Sequence, residues 1–313
     1  MAQRWWQELP PVAGSFVMAT GIVSVGLHLT GFEAVSWLVF ALAAAVWVLL
    51  AVDFGMRLRW HRQQWEAEAD TPPALTAVAA TTVLGTRLSL AGWQLAACAL
   101  LAVAAVLWPG LLLAVVRHWN RRMPGVAFLV CVSTQGLAVL AGTLAQAEVG
   151  DWLAWACLLL FGLGLLVYAA AFAHFEIQQV RIGAGDQWVA TGGLAISALA
   201  AARLVAAHQW TGLPHQMLRV VALIVLGLNL FGCAILMVAE VIRPRPEYDI
   251  RRWATVFPLG MTAVAALAVG TAIDMSVLET LGKLLMVVAV GAWVLTFTVL
   301  LADRRTFEFD RSA

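Results

Sequence analysis

Charge is scarce in this chain. Only 12% of the 313 residues are charged, 62% are hydrophobic, and the formal net charge is +1. That balance offers no argument for nucleic acid or for an acidic partner. Cysteine is scarce as well. Cys98, Cys131, Cys157 and Cys233 stand singly inside apolar runs, without metal-ligand or redox spacing, and read as packing residues. The apolar runs hold no His/Glu/Asp cluster, no paired carboxylates, no GxSxG turn and no HExxH pair, so they argue against an intramembrane enzyme and point to no metal or cofactor. Polar stretches are short. They leave no soluble domain of useful size, no recognisable regulatory domain and little surface for a membrane scaffold that moves nothing.

Apolar length is what the chain has instead. Its mean hydropathy is +0.87, and a membrane-spanning helix needs roughly 20 apolar residues. Ten segments emerge between charged or Gly/Pro-rich breaks: 11–30, 34–54, 73–90, 92–116, 124–146, 152–173, 187–207, 215–241, 253–273 and 278–302. The third is the least hydrophobic. The expectation is an all-α integral membrane protein with ten transmembrane helices in one domain over 1–313. Arg4, Pro10 and Pro11 lead into a first span rather than a cleaved signal.

Basic residues set the orientation. With both ends cytoplasmic, the inner side carries Arg4; Arg57, Arg59 and Arg62; Arg117, Arg121 and Arg122; Arg181; Arg243, Arg245, Arg251 and Arg252; and Arg304, Arg305 and Arg311, which is 15 of the 19 Lys and Arg. The opposite connections, 30–33, 89–92, 146–151, 208–214 and 274–279, together hold acids, in three of the five, and no Lys or Arg. Helices are therefore expected to pair as hairpins, one with two, three with four and so on.

Odd and even segments differ in kind. Small and hydroxyl residues recur in the odd ones: Met18, Thr20 and Gly21; Thr81, Thr82 and Gly85; Thr134, Gln135 and Gly136; Thr191 and Gly192; Thr255 to Gly260. Prolines start or interrupt odd segments at Pro10, Pro11, Pro72, Pro73, Pro124 and Pro258, whereas even segments, apart from Pro109 and Pro214, are free of them and dense in Leu, Val, Ala and Trp. Small residues allow close helix approach, and bulky aliphatics suit lipid. The odd helices are expected as an inner ring and the even helices as an outer one.

The ninth segment opens with Trp253-Ala-Thr-Val-Phe257-Pro258-Leu-Gly260-Met-Thr262. Proline inside a helix forces a bend or an opening. In a membrane that is tolerated where protein or a water-filled lumen receives the freed backbone groups. Phe257 at this level is either a plug in a lumen or a packing residue beside a kink.

The opening PPVAGSFVMATGIVSVGL and the stretch WATVFPLGMTAVA resemble the tellurite-resistance/dicarboxylate transporter family, which includes TehA-like proteins and the plant slow anion channels. The resemblance implies five helical hairpins around a central pore, odd helices inside, in a homotrimer with one pore per protomer. It implies that Phe257 occludes the pore midway. Arg252 stands where the family often has a first tryptophan, and Ala19 where it often has glycine. The expected activity is an anion channel or uniporter for small inorganic anions, in the cell membrane. A C4-dicarboxylate or sulfite carrier, proton-coupled or not, is the alternative.

The residues themselves bear on permeation. Met18, Thr20, Gly21, Thr82, Gly85, Thr134, Gln135, Gly136, Thr191, Gly192, Pro258 and Gly260 are the expected lining and kink positions. No acid lies in the middle of an odd segment, which argues against a cation path of the carboxylate-ring kind. Arg87 and Arg203, near the outer ends of segments three and seven, either attract anions at the outer mouth or snorkel to headgroups. Arg219 and Lys283 read as snorkelling, and His174 and Glu176 as a solvated helix end, with a proton-linked role for this pair as the alternative.

Overall fold

The computed structural model describes residues 13–60, 71–119, 122–182, 185–243 and 249–310. Among them, ten long helices make the fold: α1 (Gly14–Leu29), α2 (Glu33–Trp60), α3 (Thr76–Leu90), α4 (Gln94–Arg117), α5 (Leu129–Gln146), α6 (Trp152–His174), α7 (Trp188–Val205), α8 (Leu213–Ile242), α9 (Trp253–Ile273) and α10 (Ser276–Asp310). Short 3₁₀ turns at Pro72–Leu75, Gly125–Phe128 and Ile250–Arg252 lead into α3, α5 and α9. Pro10, Pro11, Arg4, Arg62, Arg121, Arg245 and Arg311 lie outside the described residues.

Eight of these helices are long and apolar enough to cross a membrane. The two that fall short are α1, apolar but only 16 residues, and α3, at 15 residues the shortest. At 1.5 Å per residue such helices rise roughly 24 Å or less, under the ~30 Å of a hydrocarbon core. Helices α2 and α10 err the other way. They run beyond 54 and 302, and α2 carries Arg57 and Arg59 in its last turn. Arg57 is buried there because its Nε meets Asp53 one turn back at 2.9 Å.

Four of the odd-to-even turns close in the same way. A backbone N–H reaches the carbonyl five residues back: Phe32 to Leu27, Trp93 to Leu88, Val149 to Leu144 and Met275 to Gly270. The residue before each donor is left-handed: Gly31, Gly92, Glu148 and Asp274. Glycine meets that conformation without steric cost. At the end of α9, Arg219 of α8 also donates to the carbonyl of Ile273 at 3.1 Å, so this arginine closes a helix end rather than only reaching for headgroups.

Burial separates the helices into two classes. In the most apolar windows of α5, α7 and α9, 94%, 83% and 83% of residues are buried, against 17–33% in α2, α4, α6, α8 and α10. Helix α1 is buried continuously from Gly14 to Leu27 and α3 almost throughout. The buried helices pack in sequence, α1 on α3, α3 on α5, α5 on α7, α7 on α9, and α9 back on α1. The outer helices turn Leu38, Leu95, Val106 and Leu159 away from the protein, as suits contact with lipid.

Candidate functional site

The ring of buried helices leaves a constricted cavity between its members, about 10 Å³, roughly the room of one water molecule. Every inner helix contributes to it: Ile22 and Val25 from α1, Thr82, Val83 and Thr86 from α3, Gly136 and Val139 from α5, Ile196 and Leu199 from α7, and Met261 from α9. Among the described residues no outer helix does. Gly136 is required because a Cβ there would collide with the hydroxyl of Thr82. The lining is apolar apart from two hydroxyls, and both are engaged. Thr82 donates to the carbonyl of Ala79 at 2.9 Å, and Thr86 to that of Thr82 at 2.8 Å.

Phe257 lies one helical turn from Met261 on α9. It is 2% exposed, so it does not face the lipid side. Its ring edge rests on α7 at Gly192, where an added Cβ would stand 3.1 Å from Cε1 of Phe257 and equally close to Cγ of Pro258. Pro258 sits inside α9 and withholds a backbone donor from the preceding turn. On the next turn Thr262 donates its hydroxyl to the carbonyl of Pro258 at 2.8 Å.

The recurring threonines have a second use. Trp47 of α2 donates to Thr81 of α3 at 2.9 Å, and Trp108 of α4 to Thr134 of α5 at 3.0 Å. Asn229 of α8 donates to Thr262 of α9 at 3.0 Å, and Trp293 of α10 to Thr20 of α1 at 3.1 Å. Each outer helix is thus tied to the inner helix that follows it, with α10 closing on α1. At the fifth junction Tyr168 of α6 packs on Gly193 of α7. An indole or amide N–H in an apolar setting needs an acceptor, and threonine supplies one; Thr81, Thr134 and Thr262 meanwhile give their own protons to helix carbonyls. Thr20 and Thr134 therefore face the outer layer, not the cavity.

Other expected lining residues are turned the same way. The amide of Gln135 donates to the carbonyl of Phe161 on α6 at 3.1 Å, beneath Gly164. Thr191 bonds back to Trp188 at 2.8 Å, and Met18 is packed in the core at 1% exposure. Gly21, Gly85 and Gly260 sit under Val83, Leu140 and Ile22 of neighbouring inner helices. They set the ring's width rather than its inner surface. Only Thr82 and Gly136 of the expected set line the cavity.

The two outer arginines are held in helix contacts. Arg87 is fully buried. Its Nε donates to Ser36 at 2.9 Å and its Nη2 to Glu33 at 2.7 Å, and the guanidinium lies 4.6 Å from the Trp37 ring centre on α2. Glu33 also meets His28. Arg203 donates to Gln146 on α5 at 3.0 Å, and that amide returns a bond to the Arg203 carbonyl at 3.1 Å. Neither arginine lines the cavity, and neither reaches for headgroups. His174 bonds back to Ala170 at an exposed helix end.

The lining residues not singled out beforehand, Ile22, Val25, Val83, Thr86, Val139, Ile196, Leu199 and Met261, are ordinary apolar side chains with one threonine. Their signal is spacing. Thr86 lies one turn from Thr82, and Val139 one turn from Gly136, so the small-residue positions mark a stripe that continues in aliphatic form.

A family model described as SLAC1, voltage-dependent anion channel, matches residues 8–301. A comparison with curated proteins returns no match.

Proposed function

Because the chain belongs to the voltage-dependent anion channel family, we propose that it conducts small inorganic anions along the axis of its inner helices and that Phe257 occludes this path midway. On this reading all ten helices span the membrane as five hairpins, with α1, α3, α5, α7 and α9 around the pore. The short α1 and α3 are members of the ring, buried against neighbouring helices along most of their length. Both termini are cytoplasmic, in keeping with the arginine asymmetry, and protomers form a homotrimer in the cell membrane, as the family resemblance implies.

The observation that carries the reading is the cavity to which all five inner helices contribute. Its two hydroxyls already spend their protons on helix carbonyls, so an anion there gives up hydration and finds few donors in exchange. Such a conduit favours weakly hydrated monovalent anions over dianions, because desolvating charge is costly. The sequence supports a channel over a proton-coupled carrier, since α1, α3, α5, α7 and α9 contain no Asp or Glu, and coupling needs ionisable groups within the membrane.

Flux from proteoliposomes loaded with nitrate, chloride, malate or sulfite tests this. Nitrate is expected to exceed chloride, and both to exceed the dianions, with rates that follow voltage and ignore an imposed pH gradient. Accumulation of malate or sulfite driven by the pH gradient establishes the carrier instead.

A further inference from the structure

On the outer helix α8 the buried stripe runs Ala222, Val225, Leu226, Asn229, Cys233, Leu236. An amide in such a stripe is costly in a membrane unless it is bonded. Asn229 is fully buried. Its Nδ2 donates to Oγ1 of Thr262 at 3.0 Å, and that hydroxyl donates onward to the Pro258 carbonyl at 2.8 Å. A polar strap therefore runs from the outer layer to the backbone of the residue next to Phe257.

The strap acts on a turn softened from both sides. Pro258 removes the donor that the carbonyl of Ala254 would have received. The Thr262 back-bond adds a second donor to the Pro258 carbonyl, a contact that bends helices. A turn so loosened does not define its own angle, and an external tether sets it. Thr262 also has a choice. Its single proton faces the Pro258 carbonyl at 2.8 Å, while Oδ1 of Asn229 waits at 3.4 Å and Sγ of Cys233, on the same stripe, lies at 3.5 Å. With the proton on Pro258 the turn is held. With the proton on Asn229 the Pro258 carbonyl keeps only its backbone donor and the curvature relaxes.

We propose that Asn229 is a positioning residue for the gate: acting through Thr262, it fixes the Pro258–Thr262 turn of α9 and so keeps the Phe257 ring seated on Gly192. The inference rests on the reading of Phe257 as the occluding ring. At the other junctions that pair an outer donor with an inner threonine the donor is an indole. The amide stands at the junction whose threonine follows the proline, and an amide, unlike an indole, brings an acceptor of its own.

The test is a double-mutant comparison of anion current in planar bilayers. Asn229→Leu and, separately, Thr262→Val are each placed in the wild-type chain and in Phe257→Ala. Interhelical hydrogen bonds in membranes govern equilibria by about three- to tenfold. Each substitution is expected to raise the wild-type current by that factor and to add nothing in Phe257→Ala. Thr262→Ser, which keeps the hydroxyl, stays at the wild-type level. Thermal melting in detergent monitors folding, and Thr262→Val is close to isosteric should Asn229→Leu fold poorly. Equal changes in both backgrounds, or no change in the wild-type background while Phe257→Ala itself conducts more, overturn the positioning role. If Phe257→Ala conducts no more than wild type, the gate reading fails first.

Discussion

Thr82 and Thr134 show how one side chain does two jobs on adjacent inner helices. Both are fully buried and both donate to their own helix. Thr82 looks into the cavity, while Thr134 receives the indole proton of Trp108 from the outer layer. The difference is the face of the helix: at 3.6 residues per turn Thr134 stands roughly 160° around α5 from Gly136, which lines the cavity, and which face turns inward is not written in a one-dimensional reading. For the same reason Gln135 and Arg87 were legible as unusual polar residues in apolar runs but not as interface residues. Thr134→Val tests the assignment at this scale. It leaves the Trp108 donor without its acceptor, at a cost of about 0.6–1.7 kcal/mol. The melting temperature in detergent is expected to fall, while the ratio of nitrate to chloride flux stays unchanged. A change in that ratio would place Thr134 in the lumen.

Helices α7 and α9 meet where a glycine faces an aromatic ring beside a proline. Gly192 leaves just enough room for Phe257 and Pro258. Gly192→Ala forces ring or helix aside by a few tenths of an ångström, and overpacking of this kind costs about 1–3 kcal/mol. The ring is the more mobile partner. The substitution is expected to raise current severalfold in the wild-type chain and to leave Phe257→Ala unchanged, as read in planar bilayers. At this scale the sequence was informative. The Gly, Thr and Pro bias of odd segments corresponds to helices that are buried on all sides, because close packing needs small residues and only protein neighbours tolerate a bent backbone. Helix ends were less legible. The arginines after segment two mark a membrane boundary, yet α2 continues through Arg57 and Arg59 to Trp60, since a helix carries its own hydrogen bonds out of the apolar layer.

The whole molecule is two concentric layers joined by repeated devices: similar turns within hairpins and side-chain hydrogen bonds between them. That alternation was readable from composition. The stripe that lines the cavity was not, because Ile, Val, Leu and Met there look like any other core residues, and their direction is set only once the five helices close on one another. The cavity lining carries no charged side chain and its two hydroxyls are already engaged; on the proposed reading Phe257, one turn from the lining residue Met261, occludes the path. Current through planar bilayers containing wild type or Phe257→Ala, matched for protein and in symmetric chloride, tests this most directly. Removal of the ring is expected to raise the current roughly tenfold or more, the effect of lowering a barrier by about 1.4 kcal/mol. A folded Phe257→Ala protein whose current equals that of wild type contradicts it.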